Sequence, residues 1–423
     1  MKTTYDVIVI GSGPGGLAAA IAAKKGGADD VLVLERDIEL GGILLQCIHS
    51  GFGLETFKED LPGPSYAQRF ADEAKAIGVE YLLDTMVLDV TPDRRIFVTS
   101  SRGGLLELHA RAIIMAMGCR ERTRAQIRLP GPRPAGVYTA GTAQRWVNVE
   151  GYMPGKRFVI LGSGDIGMIM ARRLTFEGAK VEGVLEVMPY LTGLSRNYVQ
   201  CLLDFDIPLH LSHTVKRIIG KNRVEAVEAV AVDERWQPIP GTEEIIPCDT
   251  LLLSVGLIPE NELSLKAGVT LDPVTGGPYV DDGFQTNVPG IYAAGNVVHV
   301  YDLVDWVTQA GITAGKRAAQ QITNGKWQMA NGVPTQAGDN VRYVVPHKVN
   351  PETLTEDTLM LQMRVTRPLE QPVRIEVRDG ETVIASKNER YVRPGEMVNL
   401  TLRGRDYDAV RQAKSLTAAV VPR

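Results

Sequence analysis

Asp6-Val7-Ile8-Val9-Ile10-Gly11-Ser12-Gly13-Pro14-Gly15-Gly16 leads directly into the apolar stretch Leu17 to Ala23. An apolar run, a glycine-punctuated turn and a second apolar run read as strand, tight turn and helix. Gly11 allows the turn, Gly13 lets the backbone approach a phosphate, and Gly16 permits close packing of helix on strand. Glu35 closes the next apolar run, Val31-Leu32-Val33-Leu34, at the interval after Gly16 that an acid of this motif keeps. A second copy enters through Arg157-Phe158-Val159-Ile160-Leu161 and turns through Gly162-Ser163-Gly164-Asp165-Ile166-Gly167. It leaves through Met168 to Leu174, and Glu186 closes Val181 to Leu185 at the same interval after Gly167 as Glu35 after Gly16. With 43 glycines in 423 residues, one such match carries little weight. Two copies, each with strand, helix and acid in register, predict a chain that holds two dinucleotides on the positive ends of two helices.

Each acid stands at the tip of the second strand, where a carboxylate accepts hydrogen bonds from the ribose hydroxyls of an adenosine. Glu186 disfavours a 2′-phosphate by charge repulsion, and Val187-Met188-Pro189-Tyr190 supplies no arginine to receive one. The second site therefore reads as NAD(H) rather than NADP(H).

The length implies two or three domains. An apolar content of 44%, a charged content of 23% and a formal charge of −4 are those of an ordinary globular protein. No basic run follows a phosphate backbone, so nucleic acid is not an expected partner. No apolar stretch reaches the roughly 18 residues of a membrane span. Val7 to Ala23 is broken by glycines and does not read as a signal peptide, so a cytoplasmic protein is expected. Cys47, Cys119, Cys201 and Cys248 are too far apart for a C-x-x-C dithiol or a local iron–sulfur motif, and no metal site is expected.

Between the glycine motifs the pattern predicts a helix over 66–77, strands at 81–83, 86–90, 96–99 and 112–117 ending at Gly118, and a linker at Pro130-Gly131-Pro132-Arg133-Pro134. Beyond the second motif, strands are expected over 224–232 and 250–256. A short strand then ends at Ala294-Gly295-Asn296, followed by a helix over 303–322 with Asp302 or Asp305 near its start. After Asn331 the chain turns β-rich, with turns at Asp379-Gly380 and Pro394-Gly395. The fold class expected is α/β: two nested Rossmann-like dinucleotide-binding domains plus a C-terminal β-rich domain with the strand content of a small sandwich. The expected boundaries are 1–118 with 259–330, 119–258, and 339–423. The last domain is expected to mediate subunit contact, and its removal after Gly338 to spare cofactor binding.

Five features together, over roughly residues 4–325, resemble the pyridine nucleotide-disulfide oxidoreductase group of flavoproteins. They are the first glycine motif with Glu35, the Gly41-Gly42 turn, the strand ending at Gly118, the nested motif with Glu186, and Ala294-Gly295-Asn296. The resemblance implies FAD in the first module, held by Gly11, Gly13, Pro14, Gly16, Glu35, Arg36, Gly42, Gly118, Gly295, Asn296 and Val304. It implies NAD(H) in the nested one, held by Gly162, Gly164, Asp165, Ile166, Gly167, Glu186 and Gly256. It also places the helix after Asn296 with its N-terminus toward the flavin, where free N–H groups favour the charge of the reduced ring.

Three departures qualify the likeness. Leu44 and His49 stand where disulfide-using members carry their cysteines, so no redox dithiol is expected. Asn296 replaces an aspartate, and Ile169 replaces a glutamate that pairs with lysine. Cys47 reads as a thiolate beside the flavin or as packing, and His49 as a proton donor or a structural histidine. Arg120, Glu121 and Arg122 read as a phosphate clamp or a solvated cluster, and Trp306 as a stacking or a core residue.

More narrowly, the stretches 41–53 and 117–122 look like flavoprotein subunits of amine, opine, proline or cyanide-forming dehydrogenases. They also look like an oxidoreductase associated with glycerol-3-phosphate dehydrogenase. That likeness implies hydride transfer between nicotinamide and flavin, with electrons exchanged with a partner dehydrogenase subunit or external acceptor, and a homo-dimer is a further expectation. The alternatives are a free-standing NADH oxidase that reduces oxygen and a non-catalytic nucleotide-binding scaffold.

Overall fold

A computed structural model describes residues 2–325, 332–354 and 358–423. The chain forms two compact units: residues 1–119 with 259–423, and residues 120–258.

The first unit is built on one sheet in the order Glu80–Leu82, Val31–Leu34, Thr4–Ile10, Gly104–Met115, Arg95–Ser100, Thr85–Val90, with Ile291–Ala293 also paired to Gly104–Met115. The strand Gly104–Met115 belongs to two arrangements. Its first half runs antiparallel to Arg95–Ser100, with Val98 opposite Leu106. Its second half runs parallel between Thr4–Ile10 and Ile291–Ala293, with Ile113 opposite both Ile8 and Ile291. Parallel strands covered on both faces read as continuous apolar runs, which is why Val31–Leu34 is buried throughout. Val7, Val9, Val31 and Val33 face the helices Pro14–Lys25, Gly63–Ala76 and Val304–Asn324. Ile8, Ile10, Leu32 and Leu34 face the opposite way, onto Val87, Val98, Val280 and Val297.

The second unit repeats the plan. Five parallel strands lie in the order Leu209–Leu211, Lys180–Glu186, Arg157–Leu161, Thr250–Leu253, Val137–Thr139. Phe158 and Ile160 pack under helix Asp165–Phe176 through Met168 and Leu174. Val159 and Leu161 pack on the other face against Val215, Ile218 and Val227 of a three-stranded antiparallel sheet.

Residues 333–423 form two sheets, of five and three strands, around a shared core that includes Leu361, Met363, Ile375, Leu400 and Val420. This sandwich lies in the same compact unit as the first sheet. Tyr343 and Val345 complete the core beneath Ile8 and Ile10, and Met397 packs with the core on the helical face.

The structure adds to the sequence reading in several places. Strand Thr382–Glu389, paired to Val373–Asp379 across the Asp379-Gly380 turn, is additional to the expected strands; it is largely exposed and lacks an apolar alternation. Helix Tyr407–Gln412 is likewise additional. The segment Pro130–Pro134 is no free linker: Pro130 accepts from Ile218 N at 3.1 Å, and Arg124 donates to the carbonyls of Gly131 and Pro132. The helix expected over 303–322 runs Val304–Asn324 with Asp305 in its first turn as read, although its N-cap, Leu303, makes no side-chain cap bond. Residues 326–331, where the composition shifts, lie outside the described residues.

Candidate functional site

Helix Pro14–Lys25 begins at Gly13 with no side-chain cap and with proline in its first turn. Its free amides can serve an anion, and the fixed proline φ suits the first helical position. A Cβ on Gly13 would meet nothing within 4 Å, so the backbone is bare where a phosphate would come. Gly11 (φ +99°) and Gly16 are forced by space instead: a Cβ there would lie 2.5 Å from Ala116 O and 1.9 Å from Gly11 O.

Glu35 is buried and fully engaged on one oxygen. Oε2 accepts Ser12 N at 2.8 Å and Ser12 Oγ at 2.6 Å, while among the described residues Oε1 accepts Asp37 N alone, at 2.8 Å. A carboxylate oxygen has two lone pairs, so Oε1 keeps one for a ribose hydroxyl. Gly41 N reaches Ser12 Oγ at 3.1 Å, which locks the Gly41-Gly42 turn onto the cradle.

The second cradle reproduces these bonds in strict register, with Ser163 for Ser12, Glu186 for Glu35, Met188 for Asp37 and Thr192 for Gly41. Glu186 Oε2 accepts Ser163 N at 2.8 Å and Ser163 Oγ at 2.7 Å, and Oε1 accepts Met188 N at 2.9 Å. Thr192 N reaches Ser163 Oγ at 3.1 Å, as Gly41 N reaches Ser12 Oγ. Thr192 Oγ1 adds one more donor to Glu186 Oε2, at 2.8 Å. Helix Asp165–Phe176 also starts without a side-chain cap. Asp165 is half-buried and ties the helix start to the segment 194–197, its Oδ1 accepting Leu194 N at 2.9 Å and Asn197 Nδ2 at 2.6 Å, while Ile166 packs against the core that contains Met168. Ser12 and Ser163 are site residues that sequence reasoning missed, although the same residue at the same motif position in both copies was the available signal.

The remaining expected residues fall in three groups. Gly118 and Gly295 have φ +73° and +78°, and a Cβ on Gly118 would meet open space. Asn296 Oδ1 accepts Tyr301 N at 3.1 Å, so the carboxamide is held by its own loop, in which the His299 ring lies tilted against Tyr301 at 4.1 Å between centroids. Burial pushes the His299 imidazole down to about 3. Val304 opens the uncapped helix Val304–Asn324, and Arg36 is exposed beside Asp84 and Met86 in a shallow depression.

In the second unit, Gly256 (φ +101°) accepts Arg122 N at 3.0 Å. Glu121 is neither clamp nor solvated pair: its Oε1 accepts Gly141 N at 2.8 Å at the start of helix Ala140–Arg145. Burial raises its pKa against that bond and others from Thr139, Thr142 and Ala140.

Cys47 Sγ donates to Ile43 O at 3.3 Å, and burial pushes the thiol up to about 12, which favours its packing role over that of a thiolate. His49 Nδ1 pairs with Ser50 O at 2.8 Å, and its ring lies 5.0 Å from Phe52. Trp306 Nε1 donates to Glu55 Oε2 at 3.1 Å. None of the four cysteines forms a disulfide, and Cys201 and Cys248 sit in the two cores of the second unit.

Two uncapped helix starts, each with a buried serine–glutamate pair, place the chain among known proteins. The family described as pyridine nucleotide-disulphide oxidoreductase matches residues 5–336. The chain belongs to that family. Its members bind FAD and NAD(P)H, and the first cradle fits a dinucleotide through its bare Gly13 backbone, uncapped helix start and acid. The second shares the uncapped start and the acid, but Ser254 Oγ accepts Gly167 N at 3.1 Å and lies 3.3 Å from where a Cβ on Gly164 would be. Thioredoxin reductase of Listeria innocua is 28% identical over 299 residues, covering 69% of this chain and 86% of that protein. An opine oxidase subunit of Agrobacterium tumefaciens is 26% identical over 313 residues, 69% of this chain and 61% of that one. The solved thioredoxin reductase of T. acidophilum shares the fold at a TM-score of 0.62 and 24% identity, over 76% of this chain and 99% of that one. Among the described residues no helix is long and apolar enough to cross a membrane.

Proposed function

We propose that this chain is an FAD-dependent NAD(H) oxidoreductase without a redox-active disulfide, passing a hydride between nicotinamide and flavin and exchanging electrons with a partner dehydrogenase subunit or an external acceptor. The duplicated cradle carries the reading: one set of serine, acid and turn bonds occurs twice, position for position. FAD goes to the first copy and NAD(H) to the second. FAD supplies the two-electron chemistry when bound. The chain's own part is to hold both pyrophosphates on helix amides and to orient both adenosine riboses on Glu35 and Glu186.

Preference for NAD(H) follows from Glu186. Two unit charges about 4 Å apart at an effective dielectric of about 20 repel by roughly 4 kcal/mol, on the order of a thousandfold in affinity. The stretch 187–190 brings no cation to offset that. Cysteines no closer in sequence than Cys201 and Cys248, both buried, support a route without a dithiol. Relatives named as subunits, such as the opine oxidase protein, support a partner chain.

Anaerobic mixing of the purified, flavin-loaded protein with NADH tests the reading. Bleaching of the flavin absorbance within seconds, faster with NADH than with NADPH, is expected. Absence of flavin, or flavin that stays oxidised, overturns it. Rapid oxygen consumption by the chain alone, with no gain on adding a dye acceptor, would favour an oxidase instead.

A further inference from the structure

Asp302 stands just before helix Val304–Asn324, yet its carboxylate is drawn away from the helix amides to the C-terminal sandwich. Oδ1 pairs with the Arg364 guanidinium, and Oδ2 accepts Met397 N at 2.5 Å. Arg364 also donates to the carbonyls of Val300 and Pro394, both at 3.2 Å. The two charged side chains are 16% and 8% exposed, so the pair is largely out of water. Such a pair adds little to stability over an apolar replacement, because the desolvation of two charges offsets their attraction.

Its position gives it another use. Val307, in the first turn of that helix, touches the first cradle twice: a Cβ on Gly15 would lie 3.3 Å from Val307 Cγ1, and one on Gly295 would lie 3.0 Å from the same atom. Helix Val304–Asn324 thus meets the first cradle through its N-terminal part, close to its own uncapped start.

We propose that Arg364 is a positioning residue for the flavin, which holds Asp302 off the helix start and cancels its charge there. This rests on the assignment of FAD to the first cradle. With the guanidinium removed, Asp302 presents an uncompensated negative charge beside amides that would otherwise favour negative charge on the reduced cofactor. With Asp302 neutralised instead, the guanidinium is left as a surplus positive charge. The two changes therefore act in opposite directions on the flavin, which a purely structural role would not produce.

The test is the midpoint potential of bound flavin in the full-length wild type, Arg364→Met, Asp302→Asn, the double variant and Arg364→Lys, with circular dichroism as the check on folding. Arg364→Met is expected to move the potential more negative and to weaken FAD binding about tenfold. Asp302→Asn is expected to move it more positive, while the double variant and Arg364→Lys stay near the wild type. Folded single variants that shift in the same direction, or not at all, overturn the proposal. Should Arg364→Met not fold, Asp302→Asn decides, and no positive shift there overturns it. Unchanged potentials with a flavin that NADH still bleaches sink this inference alone, whereas a wild type without flavin sinks the FAD assignment as well.

Discussion

Ser12 and Ser163 each donate twice to a buried carboxylate, through backbone and side chain. Removing one hydroxyl leaves a buried acceptor short of a donor, a loss of about 1–3 kcal/mol. In Ser163→Ala, NADH affinity is expected to fall at least tenfold with FAD content unchanged, and in Ser12→Ala the reverse. Calorimetric NADH titration and the flavin-to-protein absorbance ratio check this; equal losses of both ligands in both variants would contradict it. At this scale the motif glycines, Glu35 and Glu186 were legible because each cradle is built within a single strand–helix–strand stretch of the chain. Asp302 and Asp305 were not, since their partners Arg364, Met397 and Thr56 are distant in sequence and nothing local announces them.

Helices Pro14–Lys25 and Val304–Asn324 meet backbone to backbone. A Cβ on Gly311 would lie 2.2 Å from Gly15 O, and one on Gly315 would lie 2.2 Å from Ala19 O. Gly311→Ala must therefore push the helices apart, and overpacking of this kind costs about 1–3 kcal/mol. A lower melting temperature and a weakened hold on FAD are expected, while Gly404→Ala, where a Cβ meets nothing within 4 Å, serves as the unaffected control. Thermal unfolding with and without added FAD measures both. Among elements, the central parallel strands were readable as apolar runs and the long helix as a 3.6-residue periodicity, whereas the three-residue parallel strands Val137–Thr139 and Leu209–Leu211 were not. Strand Thr382–Glu389 gave no such signal because it lies at the edge of its sheet with most side chains in solvent.

Up to residue 325 one plan is used twice, a parallel sheet with helices on one face and antiparallel strands on the other; the repeated motif foretold the two nested modules but not this layering. The integration of the C-terminal sandwich was not foretold, because composition marks where strands begin but not which core they complete. Tyr343, Val345 and Met397 serve the cores of the first unit. Removal of residues 332–423 is therefore expected to leave the first unit unstable and without flavin, the opposite of what the sequence suggested. Expression of the truncated chain, followed by its flavin absorbance and melting curve, decides the point.

The contact of Gly15 with Gly311 has a consequence for biosynthesis. The two residues are separated by about 300 others, so at roughly 5–20 residues per second the first cradle waits on the order of 15–60 s for the helix that closes over it. The second unit, complete by residue 258, emerges whole in that interval. A nascent chain thus owns a complete second unit before its first cradle is closed, and on the proposed assignment flavin is expected to be retained only after Gly311 has emerged.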